Sequence, residues 1–232
     1  MYYIMLTARI SSVFKKITYA ALRSGRNPEE IKLIAVTKSQ PIDKIIESVD
    51  LGLRVFGENK VQEAKQKIEK LNEFNFNIEW HMIGHLQSNK VKEAVRLFEI
   101  IHSVDSDKLA ILIDKEASKI KKIQRALIQV KLSEEETKYG INEDAVEEIF
   151  KLSKKLKYLQ IEGLMTIPPY FVNPEDTRPY FRKLRQIKEE LSQKGYPLQE
   201  LSMGMSNDFE VAIEEGSTMV RIGTAIFGPR IN

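Results

Sequence analysis

Chemistry in this chain is most readily placed at one amine and at two distant runs rich in glycine and hydroxyl groups. Lys38 closes the apolar, β-branched run Leu33-Ile34-Ala35-Val36-Thr37, and Pro41 opens the helix-favouring stretch that follows. An amine at the carboxyl end of a strand, within a strand–helix alternation, stands where barrels of that type place their chemistry. It forms a Schiff base with an aldehyde if its surroundings depress its pKa. A lysine alone is weak evidence, because the chain holds 36 Lys and Arg residues and most such side chains are solvated. The other two runs add to it. Leu201-Ser202-Met203-Gly204-Met205-Ser206 offers two hydroxyls ahead of a helix start at Asn207-Asp208, which suits a phosphate. Val220-Arg221-Ile222-Gly223-Thr224 runs on to Gly228; glycine lets backbone amides approach an anion, and Thr224 adds a donor. Taken singly, Gly204, Gly223 and Gly228 read as turn punctuation and Ser206 as a helix cap.

These residues act together only if the fold brings them together. Period and punctuation give strand candidates at roughly 32–37, 53–56, 79–83, 99–103, 126–131, 159–164, 199–202 and 218–222. Charged, helix-favouring stretches lie between them, among them Lys60 to Asn72, Ser106 to Lys121, Asn142 to Lys155 and Pro174 to Lys194. Ser106-Asp107 and Asn142-Glu143-Asp144 are start signals, and Gly195 followed by Pro197 is a stop. Eight strands with helical crossovers predict an α/β fold, a parallel sheet closed into a single (β/α)8 barrel. A helix from about Thr7 to Ser24, ended by Gly25 and Asn27-Pro28, is expected to cover the gap between strands one and eight. No linker, low-complexity segment or repeat interrupts the chain, so one domain over residues 1–232 is expected. Closure sets strand eight beside strand one, and Lys38 beside both phosphate-suited loops. An aldehyde carrying a phosphate satisfies the amine and the cradle together, and pyridoxal 5′-phosphate is the biological case.

Composition narrows the classes. With 42% hydrophobic residues and 232 positions there is enough apolar surface for a full core. The net charge of +3, with basic and acidic residues interleaved, gives no reason to propose nucleic acid as a partner. The absence of cysteine excludes disulfides and thiolate chemistry and fits a reducing cytosol. The apolar start Met1-Tyr2-Tyr3-Ile4-Met5-Leu6 is followed by Arg9 and Lys15-Lys16, a poor secretion signal, and nothing approaches the about 20 apolar residues of a membrane span. A cytoplasmic protein is expected.

Ala35-Val36-Thr37-Lys38, Phe56-Gly57-Glu58-Asn59-Lys60, the run His81 to Lys90, Gly163-Leu164-Met165-Thr166 and the stretch from Ser202 to Gly228 resemble the pyridoxal phosphate homeostasis protein family over about residues 26 to 228. The resemblance implies a barrel like the N-terminal domain of alanine racemase, holding pyridoxal phosphate as an internal aldimine at Lys38. It implies cofactor contacts from Ser202, Met203, Ser206, Gly223 and Thr224, with either serine dominant at the phosphate, and from Asn59. Arg221 aligns with an arginine that faces the pyridine nitrogen in the related racemases; a guanidinium there keeps that nitrogen unprotonated and weakens the electron sink. Two departures from the racemases matter. Ser39-Gln40-Pro41 replaces the run after the racemase lysine, and the chain ends where the racemase C-terminal domain begins. That domain brings a tyrosine from the partner subunit, the second proton carrier that racemisation needs.

Other constellations carry less. His81 and His85 have helical metal-ligand spacing, but Gly84 lies between them at a strand end and no third ligand is evident, so no metal site is expected. His85 either lines the pocket or is a hydrogen-bonded loop residue. The loop Glu134 to Gly140 is either a charged surface loop or, through Lys138, a second amine for the aldehyde in transit. Trp80 and Phe56 read as core, and the stretch Tyr170 to Tyr180 as a lid or a long connection. The leading expectation is a monomeric carrier of pyridoxal phosphate with no dedicated reaction, serving apoenzymes that depend on that cofactor and affecting amino-acid and keto-acid balance indirectly. The alternatives are a weak amino-acid racemase on the same cofactor, and a phosphate-binding barrel in which Lys38 is incidental.

Overall fold

The computed structural model describes residues 2–133, 139–196 and 198–229. Eight strands, β1 (Lys32–Val36), β2 (Val55–Glu58), β3 (Glu79–Met82), β4 (Ile100–Val104), β5 (Gln124–Gln129), β6 (Leu159–Met165), β7 (Glu200–Ser202) and β8 (Met219–Ile222), pair in chain order. Every pairing is parallel, and β8 pairs with β1 through Leu33–Val220 and Ile34–Arg221, so the sheet closes. The strands are almost wholly buried, as expected where helices cover one face of a parallel sheet and side chains fill the other.

Alternation sorts the two faces. Leu33, Ala35, Phe56, Trp80, Met82, Ile101, Ala126, Ile128, Val220 and Ile222 belong to the large apolar layer shared with the helices. Ile34, Ile100, Leu127, Met165 and Met219 form a separate, smaller cluster inside the barrel. The inner register of β1 therefore runs Lys32, Ile34, Val36, and continues toward Lys38 just beyond the strand end. Phe56 and Trp80, read as core, are buried with ring centroids 5.6 Å apart.

Helices α1 (Tyr2–Arg23), α2 (Ile42–Asp50), α3 (Val61–Leu71), α4 (Val91–Leu97), α5 (Asp107–Lys119), α6 (Val146–Ser153), α7 (Arg178–Gln193), α8 (Phe209–Glu214) and α9 (Thr224–Phe227) form the outer ring. In α1, Leu6, Ile10, Val13, Ile17 and Ala21 recur at three- and four-residue spacing and are buried. This stripe packs against α8 and α9. Since α9 is a single turn, α1 supplies the cover that a longer helix after β8 would give. Ser106 caps α5 by accepting from the Leu109 amide, 3.3 Å away. The stretch opening at Asn142 starts as a 3-10 turn (Glu143–Ala145) before α6, and Pro174 likewise starts a turn that runs into α7. The irregular piece before α7 is therefore shorter than the expected Tyr170 to Tyr180.

The second strand lies two residues later than the sequence pattern placed it, because Gly57 is part of β2 rather than its end. A Cβ on Gly57 would meet Ile34 Cγ2 and Ile83 Cδ1 at 2.9 Å, so the glycine answers interior crowding. No helix among the described residues is long and apolar enough to cross a membrane.

Candidate functional site

A cleft of about 590 Å³ opens at the carboxyl ends of the strands, where parallel α/β folds place ligands. Six of the eight residues singled out from the sequence line it: Lys38, Asn59, Ser206, Arg221, Gly223 and Thr224. The other two, Ser202 and Met203, are fully buried. Ser202 reaches the cleft only through its neighbours: Arg221 Nη1 donates to Ser202 Oγ at 2.5 Å, and Ser202 Oγ lies 2.9 Å from His102 Nδ1. Gln40, Tyr170 and Asn207 also line the cleft; the sequence named them only in the run after Lys38, at the edge of a lid or connection and at a helix start, since a polar or aromatic loop residue carries no period that marks where it points.

Lys38 is held by its neighbours in sequence. Thr37 Oγ1 donates to Glu58 Oε1 at 2.6 Å, and the Ser39 amide donates to Glu63 Oε1 at 2.6 Å. Lys67 Nζ joins the two carboxylates, 2.7 Å from each, and donates to the Thr37 carbonyl at 2.6 Å. Ser39 adopts a left-handed φ of 59°, a strained conformation for a non-glycine residue that the surrounding bonds maintain. Burial pushes the Glu58 carboxyl up from its ordinary value, against the opposing pull of Lys67 and the Thr37 hydroxyl.

On β8, the strand beside β1, Arg221 is anchored from behind by Ser202 and by the Thr166 carbonyl, which accepts from Nη2 at 2.8 Å. Burial lowers its pKa to about 10, with Asp208 working in the other direction. The guanidinium remains charged near neutrality. Ser206 Oγ accepts from the Ala225 amide at 3.2 Å, tying the loop after β7 to the first turn of α9. Gly204, at φ 93°, lets that loop pass over α8: a Cβ there would meet Ala212 Cβ at 2.6 Å and Phe209 Cα at 2.9 Å.

The histidines separate. His81 is buried inside the barrel, 2.9 Å from His102, whereas His85 pairs with Asp105 at 3.2 Å and stacks on Tyr139. The two do not share a face, and the loop reading of His85 is the one its contacts match. Among the described residues no group of three His, Asp or Glu side chains is arranged to hold a metal ion. Lys138 lies outside the described residues. The donor set of the cleft, an amine, a guanidinium, two hydroxyls and a glycine-bearing turn, matches a phosphorylated aldehyde with a heteroaromatic ring.

Residues 18–230 match the family model of the alanine racemase N-terminal domain. The pyridoxal phosphate homeostasis protein of Aquifex aeolicus is 48% identical over 223 residues, covering 96% of this chain and 97% of that protein. PipY of Synechococcus elongatus PCC7942, whose structure has pyridoxal phosphate bound, superposes with a TM-score of 0.84 at 37% identity, covering 96% of this chain and all of that one. The alanine racemase of Clostridium difficile 630 shares the fold alone: its TM-score is 0.71 at 16% identity, and the match covers 57% of its length. With this coverage and identity, the chain belongs to the pyridoxal phosphate homeostasis protein family, a single-barrel relative of the alanine racemase N-terminal domain.

Proposed function

We propose that this chain binds pyridoxal 5′-phosphate in the cleft at the carboxyl ends of the strands and takes part in its homeostasis as a one-domain, monomeric carrier without a dedicated reaction. The observation that carries the reading is the meeting of Lys38, Arg221, Ser206, Gly223 and Thr224 in one cleft. The relatives support it, since the Aquifex protein is named for pyridoxal phosphate homeostasis and PipY holds the cofactor. When bound, the cofactor supplies an aldehyde that condenses reversibly with an amine. Lys38 provides that amine and so a Schiff-base linkage that anchors without committing. Ser206, Thr224 and the Gly223 turn would hold the phosphate, with buried Ser202 acting through Arg221 and buried Met203 packing in the same loop, and Asn59, just after β2, would contribute from the cleft wall. Arg221 can only donate; placed at the ring nitrogen it leaves that nitrogen unprotonated, which disfavours carbanion chemistry and favours storage and release. Cytoplasmic apoenzymes that need the cofactor are the recipients, and amino-acid and keto-acid balance responds through them.

A second reading, weak racemase-type activity, draws on one observation: Tyr170, largely exposed, stands at the same cleft, and its phenol would offer a second proton carrier. Incubating holoprotein with single-enantiomer amino acids and following chiral purity separates the readings; loss of chiral purity that disappears in Tyr170→Phe favours the enzyme.

The primary test is the near-ultraviolet and visible spectrum with pyridoxal phosphate, before and after borohydride, for wild type and Lys38→Ala. A band that borohydride fixes covalently in wild type and not in the variant is expected. Identical spectra, with no adduct at residue 38, would remove the Schiff-base reading.

A further inference from the structure

A chain of polar side chains, part-exposed at Glu79 and buried beyond it, crosses the barrel from the end opposite the cleft and stops at Arg221. Glu79 Oε1, at the start of β3, lies 2.8 Å from His81 Nε2; His81 Nδ1 lies 2.9 Å from His102 Nε2; His102 Nδ1 lies 2.9 Å from Ser202 Oγ, which accepts from Arg221 Nη1. Both imidazoles are fully buried. Barrel interiors are ordinarily filled with branched aliphatic residues, and two imidazoles there incur desolvation that apolar side chains would avoid.

The ends of the chain dictate its direction. Arg221 has donors only, so Ser202 accepts from it; with both rings neutral, the acceptor-only Glu79 at the far end requires the Ser202 proton to go to His102 Nδ1. A neutral His102 then carries its proton on Nε2 and donates to His81 Nδ1. His81 in turn carries its proton on Nε2 and donates to Glu79, an acceptor-only carboxylate. Every bond in the series is fixed by the two charged ends.

We propose that His81 and His102 are positioning residues: neutral and protonated on Nε2, they carry one hydrogen-bond direction through the barrel and keep Ser202 as the acceptor that holds Arg221 toward the cleft. A proton added at His81 makes both its nitrogens donors, forces His102 to the Nδ1–H tautomer, and turns His102 from acceptor to donor, so the Ser202 oxygen takes two donors while its own proton loses its partner. The groups facing the pair decide how easily that happens. Glu79 favours the charged form of His81; Lys32, Arg125 and burial oppose it. His102 is faced by His81 and Arg221, with burial again the larger influence, and both rings sit below the ordinary histidine pKa. The inference that this orientation serves the cofactor rests on the proposed function above.

The test has two arms. In the apo protein labelled with 15N-histidine, His81 and His102 are expected to show an unprotonated Nδ1 and a protonated Nε2 near neutral pH, and to keep them as pH is lowered through the ordinary histidine pKa. Finding Nδ1–H on either ring, or a doubly protonated ring near neutral pH, would overturn the relay. In the holoprotein, His102→Leu removes the acceptor for Ser202, whereas His102→Asn keeps an acceptor near the Nδ1 position. The leucine variant is expected to bind pyridoxal phosphate about tenfold more weakly, as for other changes to groups that orient a ligand's direct contacts, and to shift the pH profile of the bound cofactor's absorption; the asparagine variant is expected to restore both. Wild-type affinity and pH profile in a folded leucine variant would also overturn it. Since the first arm needs no cofactor, a wild type lacking any borohydride-fixed adduct would remove the functional reading while leaving the tautomers measurable.

Discussion

An amine held for reversible chemistry is useful only if the backbone carrying it stays put, and both neighbours of Lys38 are tied to one buried ion cluster. Thr37 binds Glu58, Ser39 binds Glu63, and Lys67 bridges the two carboxylates while also holding the Thr37 carbonyl. Glu58 is fully buried and Lys67 nearly so. Removing one charge strands the other, which in buried pairs costs about 3–5 kcal/mol. Lys67→Met is therefore expected to lower the unfolding free energy by that amount, read as a lower urea midpoint, and to reduce borohydride-fixed adduct at Lys38. Glu58→Gln with Lys67→Met is expected to recover part of the stability, because no uncompensated charge then remains between those two positions. Equal midpoints for wild type and the single variant would show that the cluster does not hold the loop. The cluster itself was not legible in the sequence, where Glu58 stood only within the Phe56 to Lys60 run that carries the family resemblance, and Glu63 and Lys67 lay in the charged, helix-favouring stretch after it.

At the scale of elements, two features set how closely the pieces approach. Gly84 follows β3 where the chain crosses the loop after β2: a Cβ there would meet the Asn59 carbonyl oxygen and lie 2.7 Å from Asn59 Cα. Gly84→Ala must push back the backbone that carries Asn59 into the cleft. Overpacking of this kind costs about 1–3 kcal/mol, and weaker binding of pyridoxal phosphate, measured by fluorescence titration, is expected to accompany it. Affinity equal to wild type would mean that Asn59 contributes nothing to the site. The second feature is α1, whose apolar stripe was plain from its spacing. Ile17 is buried in it, so Ile17→Ala is expected to cost about 2–5 kcal/mol in urea unfolding, with the cleft chemistry intact in the folded fraction.

For the molecule as a whole, the polar interior makes stability depend on acidity. His81 and His102 have pKa values lowered by burial from an ordinary 6.5. The unfolded chain takes up protons below that pH while the folded barrel refuses them, so stability falls as pH drops through about 6.5. Glu79 adds a second window: the hydrogen bond from His81, with Lys32 alongside, pulls its carboxyl from 4.5 to about 2. Its contribution is complete above 4.5 and drains away as pH falls toward 2. Urea midpoints measured across pH are expected to show both losses, and Glu79→Gln to flatten the lower one. A midpoint constant from pH 7 to 5 would contradict neutral, proton-refusing histidines in the barrel.

Local physics was enough to read much of this protein from its residues: the alternation of apolar strands and charged helices, the α1 stripe, the amine at the end of β1 and the glycine and hydroxyl runs after β7 and β8 each depend on near neighbours in sequence. Even the error at β2 was local: the expected strand stopped at residue 56, short of Gly57, which the strand includes because interior crowding by Ile34 and Ile83 requires a glycine there. Ring closure decided the rest. Glu79 and His81 come from β3, His102 from β4, Ser202 from β7 and Arg221 from β8, and no period along the chain relates them. A histidine in Ile100-Ile101-His102-Ser103-Val104 announces only that a polar group is buried; which atom meets it is settled when eight strands close and their inner faces share one interior.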